Sequence, residues 1–164
     1  MRPSTALRDA VLAGAGVLTA FLAYSLLGGF GPSALAVVNG FSLVVVVFSV
    51  RRGEVFGGVL GTACGLVQDS FSMGVFGVAG LTKTLLGFWT GYVSRRIDVG
   101  PPVRGAAFLL LMSSLELALW VLLGAVALGE GPNLQGGWLL LQPLTTAVLG
   151  TGLLALQRRL EARA

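Results

Sequence analysis

The chain has 164 residues, of which 55% are hydrophobic and 11% charged, and its mean hydropathy is +0.88. That composition leaves too little polar surface to clothe a soluble domain of this size and points to an integral membrane protein. A net charge of +4 does not signal nucleic acid, because the arginines are dispersed in twos and threes rather than gathered on one patch, and with no histidine and only Cys64 neither an internal disulfide nor a Cys/His metal site is available.

A membrane helix needs about 20 mainly apolar residues to cross about 30 Å of hydrocarbon. Six such runs are predicted, over 10–30, 32–50, 53–69, 76–94, 104–128 and 138–156. Gly28, Gly29, Gly31 and Pro32 end the first. Ala34-Leu35-Ala36 looks like a signal-cleavage site, but the run is too long for a signal core and is expected to be a retained helix. The second run starts at Pro32 or Ser33 and is expected to form a tight helical hairpin with the first. The third is shorter and rich in glycine. Pro101-Pro102 and Gly129-Glu130-Gly131-Pro132 separate the last three runs. No connection is long enough for a folded domain, so residues 1–164 are expected to form one all-α, six-helix transmembrane domain.

The charges orient it. Arg2 and Arg8 precede the first run, and Arg51 and Arg52 follow the second. Arg95, Arg96 and Arg104 follow the fourth, and Arg158, Arg159 and Arg163 follow the sixth. The alternate connections carry only Asp69 and Glu130. Basic residues in short loops stay in the cytoplasm, so both termini are expected there, with the arginines facing anionic inner-leaflet lipid. Trp89, Trp120 and Trp138 lie toward predicted span ends, where interfacial aromatics concentrate.

Some residues carry more than hydrophobicity. Gly53, Gly57, Gly61 and Gly65, followed by Asp69, recur at four-residue intervals and leave one helix face without side chains. Such a face admits a close backbone neighbour, from the same chain or from a partner. Asp69 at a helix C-terminus opposes the macrodipole and needs a specific holder. It either caps the next helix and fixes the turn, or meets a partner together with Ser70, Ser72, Gly74 and Gly77. Lys83 and Glu116 fall near the middle of the fourth and fifth runs, where a lone charge costs about 3 kcal/mol. An ion pair between them is expected, with Ser113, Ser114, Thr82 and Thr84 available to complete its hydrogen bonds. Its role is a structural clip or, alternatively, a proton or substrate site.

The block Gly65-Leu66-Val67-Gln68-Asp69, Gly77-Val78-Ala79-Gly80-Leu81 and Leu85-Leu86-Gly87-Phe88-Trp89-Thr90-Gly91-Tyr92 resembles the rod shape-determining protein MreD family. That family has Gly-Leu-x-x-Asp ending one span, a Gly eight residues later, a Leu four beyond and a Gly-Tyr-like end to the next span. The block spans about a sixth of the chain, while size, span number and topology match throughout. Lys83 departs from the pattern, so its role is not inherited. The resemblance implies a non-catalytic scaffold subunit of the bacterial cell-elongation machinery in the inner membrane, without a cofactor. It would bind an MreC-like bitopic protein and so influence peptidoglycan synthesis by a RodA-type glycosyltransferase and a class-B penicillin-binding protein, coupled to MreB-like filaments. The family is similar in fold to the substrate-binding subunits of energy-coupling-factor transporters, which makes a vitamin-type transporter subunit the alternative. No nucleophile–base pair or phosphate loop is present to suggest an enzyme, and an intramembrane transferase would have only Asp69, Lys83 and Glu116.

Overall fold

A computed structural model describes residues 3–29, 31, 37–71, 76–99, 101–128 and 135–161. The described residues form six α-helices: α1 (Pro3–Gly28), α2 (Gly40–Arg52), α3 (Glu54–Phe71), α4 (Val78–Ser94), α5 (Pro102–Leu128) and α6 (Gln142–Glu161). A 3₁₀ helix, Gln135–Leu141, leads into α6.

Local chemistry explains the boundaries. The Asn39 side chain accepts the Ser42 N–H at 3.2 Å and so caps the start of α2. Most of the segment between α1 and α2, where the tight hairpin was expected, lies outside the described residues. At the other end of α2, Gly53 has φ +89° and donates its N–H to the Ser49 carbonyl at 2.9 Å. This left-handed residue lets α3 begin at the next position, with Glu54 in its first turn where the helix dipole favours an acid. Pro102 opens α5, where its missing N–H costs nothing. The run 138–156 is not one α-helix from its start: a 3₁₀ turn precedes Gln142-Pro143, and the α-helix then continues to Glu161.

The short helix α2 lies at the centre and packs against α1, α3, α4 and α6. Phe41, Val45 and Val46 on it are completely buried. Leu109 and Met112 from α5, Ala147 and Leu154 from α6, and Cys64 from α3 complete the same core. On the outer side of α2, Gly16 of α1 sits against Val44 and Phe48, while Tyr24 meets Phe41 at 5.9 Å between ring centroids. The closest pair in the bundle is α3 with α4.

The arginines meet at one end. Arg51 at the end of α2 donates to Gln157 of α6 at 3.3 Å, and Arg158 donates to the Val99 carbonyl at 3.1 Å. Arg95 bridges Glu54 and the Arg52 carbonyl, Arg104 lies 3.5 Å from Asp98, and Arg96 covers the Tyr92 ring at 4.2 Å. Chain alternation thus brings the ends of α2, α4 and α6 and the starts of α3 and α5 together.

By length and apolarity, α5 and the stretch Gly137–Leu160, which joins the 3₁₀ turn to α6, are able to cross a bilayer, and α1 carries a shorter apolar segment, Ala10–Leu26. The other three helices do not reach that standard, although six spans were expected. Helix α2 has 13 residues and α4 has 17, while glycines and the closing Gln68-Asp69-Ser70 dilute the apolar character of α3.

Candidate functional site

Two polar arrangements stand out in this apolar bundle. The first joins three helices. Lys83 on α4 points into the core and places its Nζ 2.6 Å from Glu116 Oε1 on α5. Ser42 on α2 closes the triangle, accepting from Lys83 Nζ at 2.8 Å and donating to Glu116 Oε1 at 2.7 Å. Lys83, Glu116 and Ser42 are 1%, 3% and 0% exposed, so the pair has exchanged solvent for its own Coulomb attraction and one bridging hydroxyl. Glu116 Oε2 is also buried and has no hydrogen-bond partner among the described residues.

The hydroxyls expected to serve this pair are engaged elsewhere. Thr82 donates to the Ala79 carbonyl, Ser113 to the Leu109 carbonyl and Thr84 to the Gly80 carbonyl, with Thr84 also meeting Thr62 at 2.8 Å. Ser114 is exposed. Sequence reasoning missed Ser42, although a signal was present. It sits in the middle of the second apolar run, at the depth that Lys83 and Glu116 occupy in theirs.

The second arrangement is the junction of α3 and α4. Asp69, buried at the end of α3, accepts three backbone N–H groups: Gly77 and Gly80 to Oδ2, both at 2.9 Å, and Ala79 to Oδ1 at 3.1 Å. The helix that Asp69 closes disfavours it, but the one it faces welcomes it. The carboxylate lies at the N-terminus of α4, where four N–H groups lack intrahelical partners. Gly77, the N-cap position, has φ +99° and no side chain to do this work, so Asp69 supplies the cap from eight residues upstream. Ser70 is exposed, and its hydroxyl donates back to the Leu66 carbonyl. Ser72 and Gly74 lie outside the described residues.

Behind this turn the glycine stripe of α3 lies against α4 of the same chain. A Cβ at Gly57 would overlap the Gly87 carbonyl, one at Gly61 the Lys83 carbonyl, and one at Gly65 the backbone of Ala79 and Gly80. Gly53 faces Gly91, where a Cβ would likewise strike backbone. The pairing 53·91, 57·87, 61·83 and 65·80 is an antiparallel register of two nearly bare helix faces. Its second half, Gly80, Gly87 and Gly91, was visible in the sequence but had not been read as a stripe.

The residues thus fall into a close-packed hairpin, α3–Asp69–α4, tied through Lys83 to α2 and α5. Comparison of the chain with protein-family models, with characterised proteins and with solved structures finds no match.

Proposed function

We propose that this chain is a multi-pass protein of the bacterial inner membrane, with both termini cytoplasmic, acting as a scaffold subunit of the cell-elongation machinery. Support for the membrane setting comes from α5 and α6. Only 28% of the apolar stretch of α5 and 33% of that of Gly137–Leu160 is buried inside the molecule. The core helix of a soluble protein would be mostly covered, whereas Leu111, Leu122, Val126 and Val148 face outward. Gathering of the arginines at one end supports the orientation.

One observation carries the scaffold reading. The residues on which the resemblance to the MreD family rests, Gly65, Asp69, Gly77, Gly87 and Gly91, all build the α3–α4 hairpin. A chain that spends its distinctive residues on a fixed shape is suited to present a surface, and short loops leave the bilayer interior and its outer rim as the place for contact. The occupant proposed is the transmembrane helix of an MreC-like bitopic protein, through which the chain would influence peptidoglycan synthesis. Asp69 acts on that contact by holding the turn, since its carboxylate is committed to α4.

Co-purification tests this. Asp69→Ala is expected to weaken retention of the bitopic partner and to cost cells their rod shape while membrane insertion persists. A vitamin-sized ligand that raises the melting temperature of the isolated protein, with normal cell shape for Asp69→Ala, would replace the scaffold by the transporter reading.

A further inference from the structure

The arginine end contains two clefts that share a wall. The first, about 310 Å³, opens between the C-terminal ends of α2, α4 and α6 and is bordered by Arg51, Ser94, Asp98, Gln157 and Arg158. The second, about 190 Å³, lies between the start of α5 and α6 and is bordered by Pro102, Gly105, Thr151 and Ala155. Val99, Leu154 and Arg158 line both. One cleft carries two guanidinium groups, and its neighbour is mainly apolar apart from Arg158 and Thr151.

We propose that the joined clefts hold one anionic phospholipid, its phosphate between Arg51 and Arg158 and an acyl chain along the groove between α5 and α6. The proposal rests on the membrane reading above but not on the scaffold role. Arginine suits a phosphate because its planar fork gives parallel charge-assisted hydrogen bonds. Both guanidinium groups are positioned by the protein, Arg158 against the Val99 carbonyl at 3.1 Å and Arg51 against Gln157 at 3.3 Å. Arg158 therefore stands at the mouth between the clefts, where the glycerol-linked phosphate of a lipid has to lie if its tail occupies the second. Among the described residues Asp98 is the one carboxylate bordering the first cleft, and Arg104 lies 3.5 Å from it. Basic pockets between membrane helices on the cytoplasmic side have the chemistry to take anionic headgroups. The adjoining apolar groove favours a lipid over a free anion, which would use the first cleft alone.

The test uses full-length protein in detergent, stripped of bound lipid and titrated with phosphatidylglycerol, phosphatidylcholine or inorganic phosphate. Native mass spectrometry and thermal unfolding read the binding. Saturable binding of one phosphatidylglycerol is expected, with phosphatidylcholine weaker by about fivefold or more. Arg51→Gln and Arg158→Gln should each lower the phosphatidylglycerol affinity by about fivefold. Ala155→Trp, at an exposed position of the groove, should weaken the lipid as well, and Arg159→Gln, which borders neither cleft, should leave binding intact. Equal affinity for the two lipids would overturn the proposal. So would stabilisation by inorganic phosphate equal to that by the lipid, or unaltered binding in Arg51→Gln and Ala155→Trp. A chain that stays in solution without detergent would remove the membrane reading itself, an outcome distinct from failed lipid selectivity in a protein that needs detergent.

Discussion

Gly61 rests directly on the Lys83 carbonyl, so the residue that sends a buried ammonium into the core is also the floor beneath the glycine stripe. The two arrangements described above are therefore coupled at one position. Moving α4 away from α3 displaces the Lys83 backbone and, with it, the reach of Nζ toward Glu116.

The stripe is expected to separate close glycines from spacious ones. Gly57→Ala and Gly61→Ala drive a methyl group into backbone and should each cost about 1–3 kcal/mol. Gly58→Ala, whose Cβ would meet Phe88 Cβ at 3.8 Å, is an ordinary contact and should be neutral or slightly stabilising. Thermal unfolding in detergent checks the contrast. Equal behaviour of Gly58 and Gly61 would refute the backbone contact.

Breaking the ion pair on one side leaves a buried charge alone. Lys83→Met and Glu116→Gln should each destabilise by about 3–5 kcal/mol, and the double variant by less than their sum. Ser42→Ala removes the bridging hydroxyl and should cost about 1–3 kcal/mol in the wild-type background but much less in the double variant. An additive cycle would show that the side chains do not interact.

Asp69→Asn retains the size of the side chain but loses its charge and one strong acceptor oxygen. It should keep part of the cap of α4, whereas Asp69→Ala should lose about 2 kcal/mol with it. Amide exchange at Gly77, Ala79 and Gly80 should rise in that order of severity, Ala above Asn above wild type. Unchanged protection in Asp69→Ala would mean that another group caps α4.

Single cysteines report topology once Cys64, completely buried, is replaced by Ala. Phe76→Cys, at the turn between α3 and α4, should react with an impermeant thiol reagent in intact spheroplasts. Asp98→Cys, at the arginine end, should react only after permeabilisation. Labelling of both from outside would contradict the alternation of arginines across the bilayer.

Much of this architecture was legible because it rests on spacing and charge. Four-residue glycine intervals announced a close helix neighbour, and the clusters from Arg51 to Arg159 announced a common end. Lys83 and Glu116 were matched by depth, by the adjacency of consecutive runs and by the cost of a lone charge. Other features depend on local geometry that composition does not encode. The cap of α2 is one hydrogen bond from the Ser42 N–H to the Asn39 side chain, and the 3₁₀ turn before Gln142-Pro143 breaks a run that hydropathy reads as continuous. Whether Asp69 served α4 or a partner was undecidable from sequence, since both readings ask for the same carboxylate at the same turn.

Contact between α3 and α4 runs backbone to backbone, with almost no methyl or methylene groups between Gly57 and Gly87 or Gly65 and Gly80. What holds such a seam is short-range dispersion and the backbone N–H hydrogen bonds that Asp69 accepts, rather than the release of water from apolar surface. Association driven by apolar hydration weakens on cooling, and dispersion does not share that dependence. The cohesion of the hairpin accordingly does not follow the temperature dependence of apolar hydration.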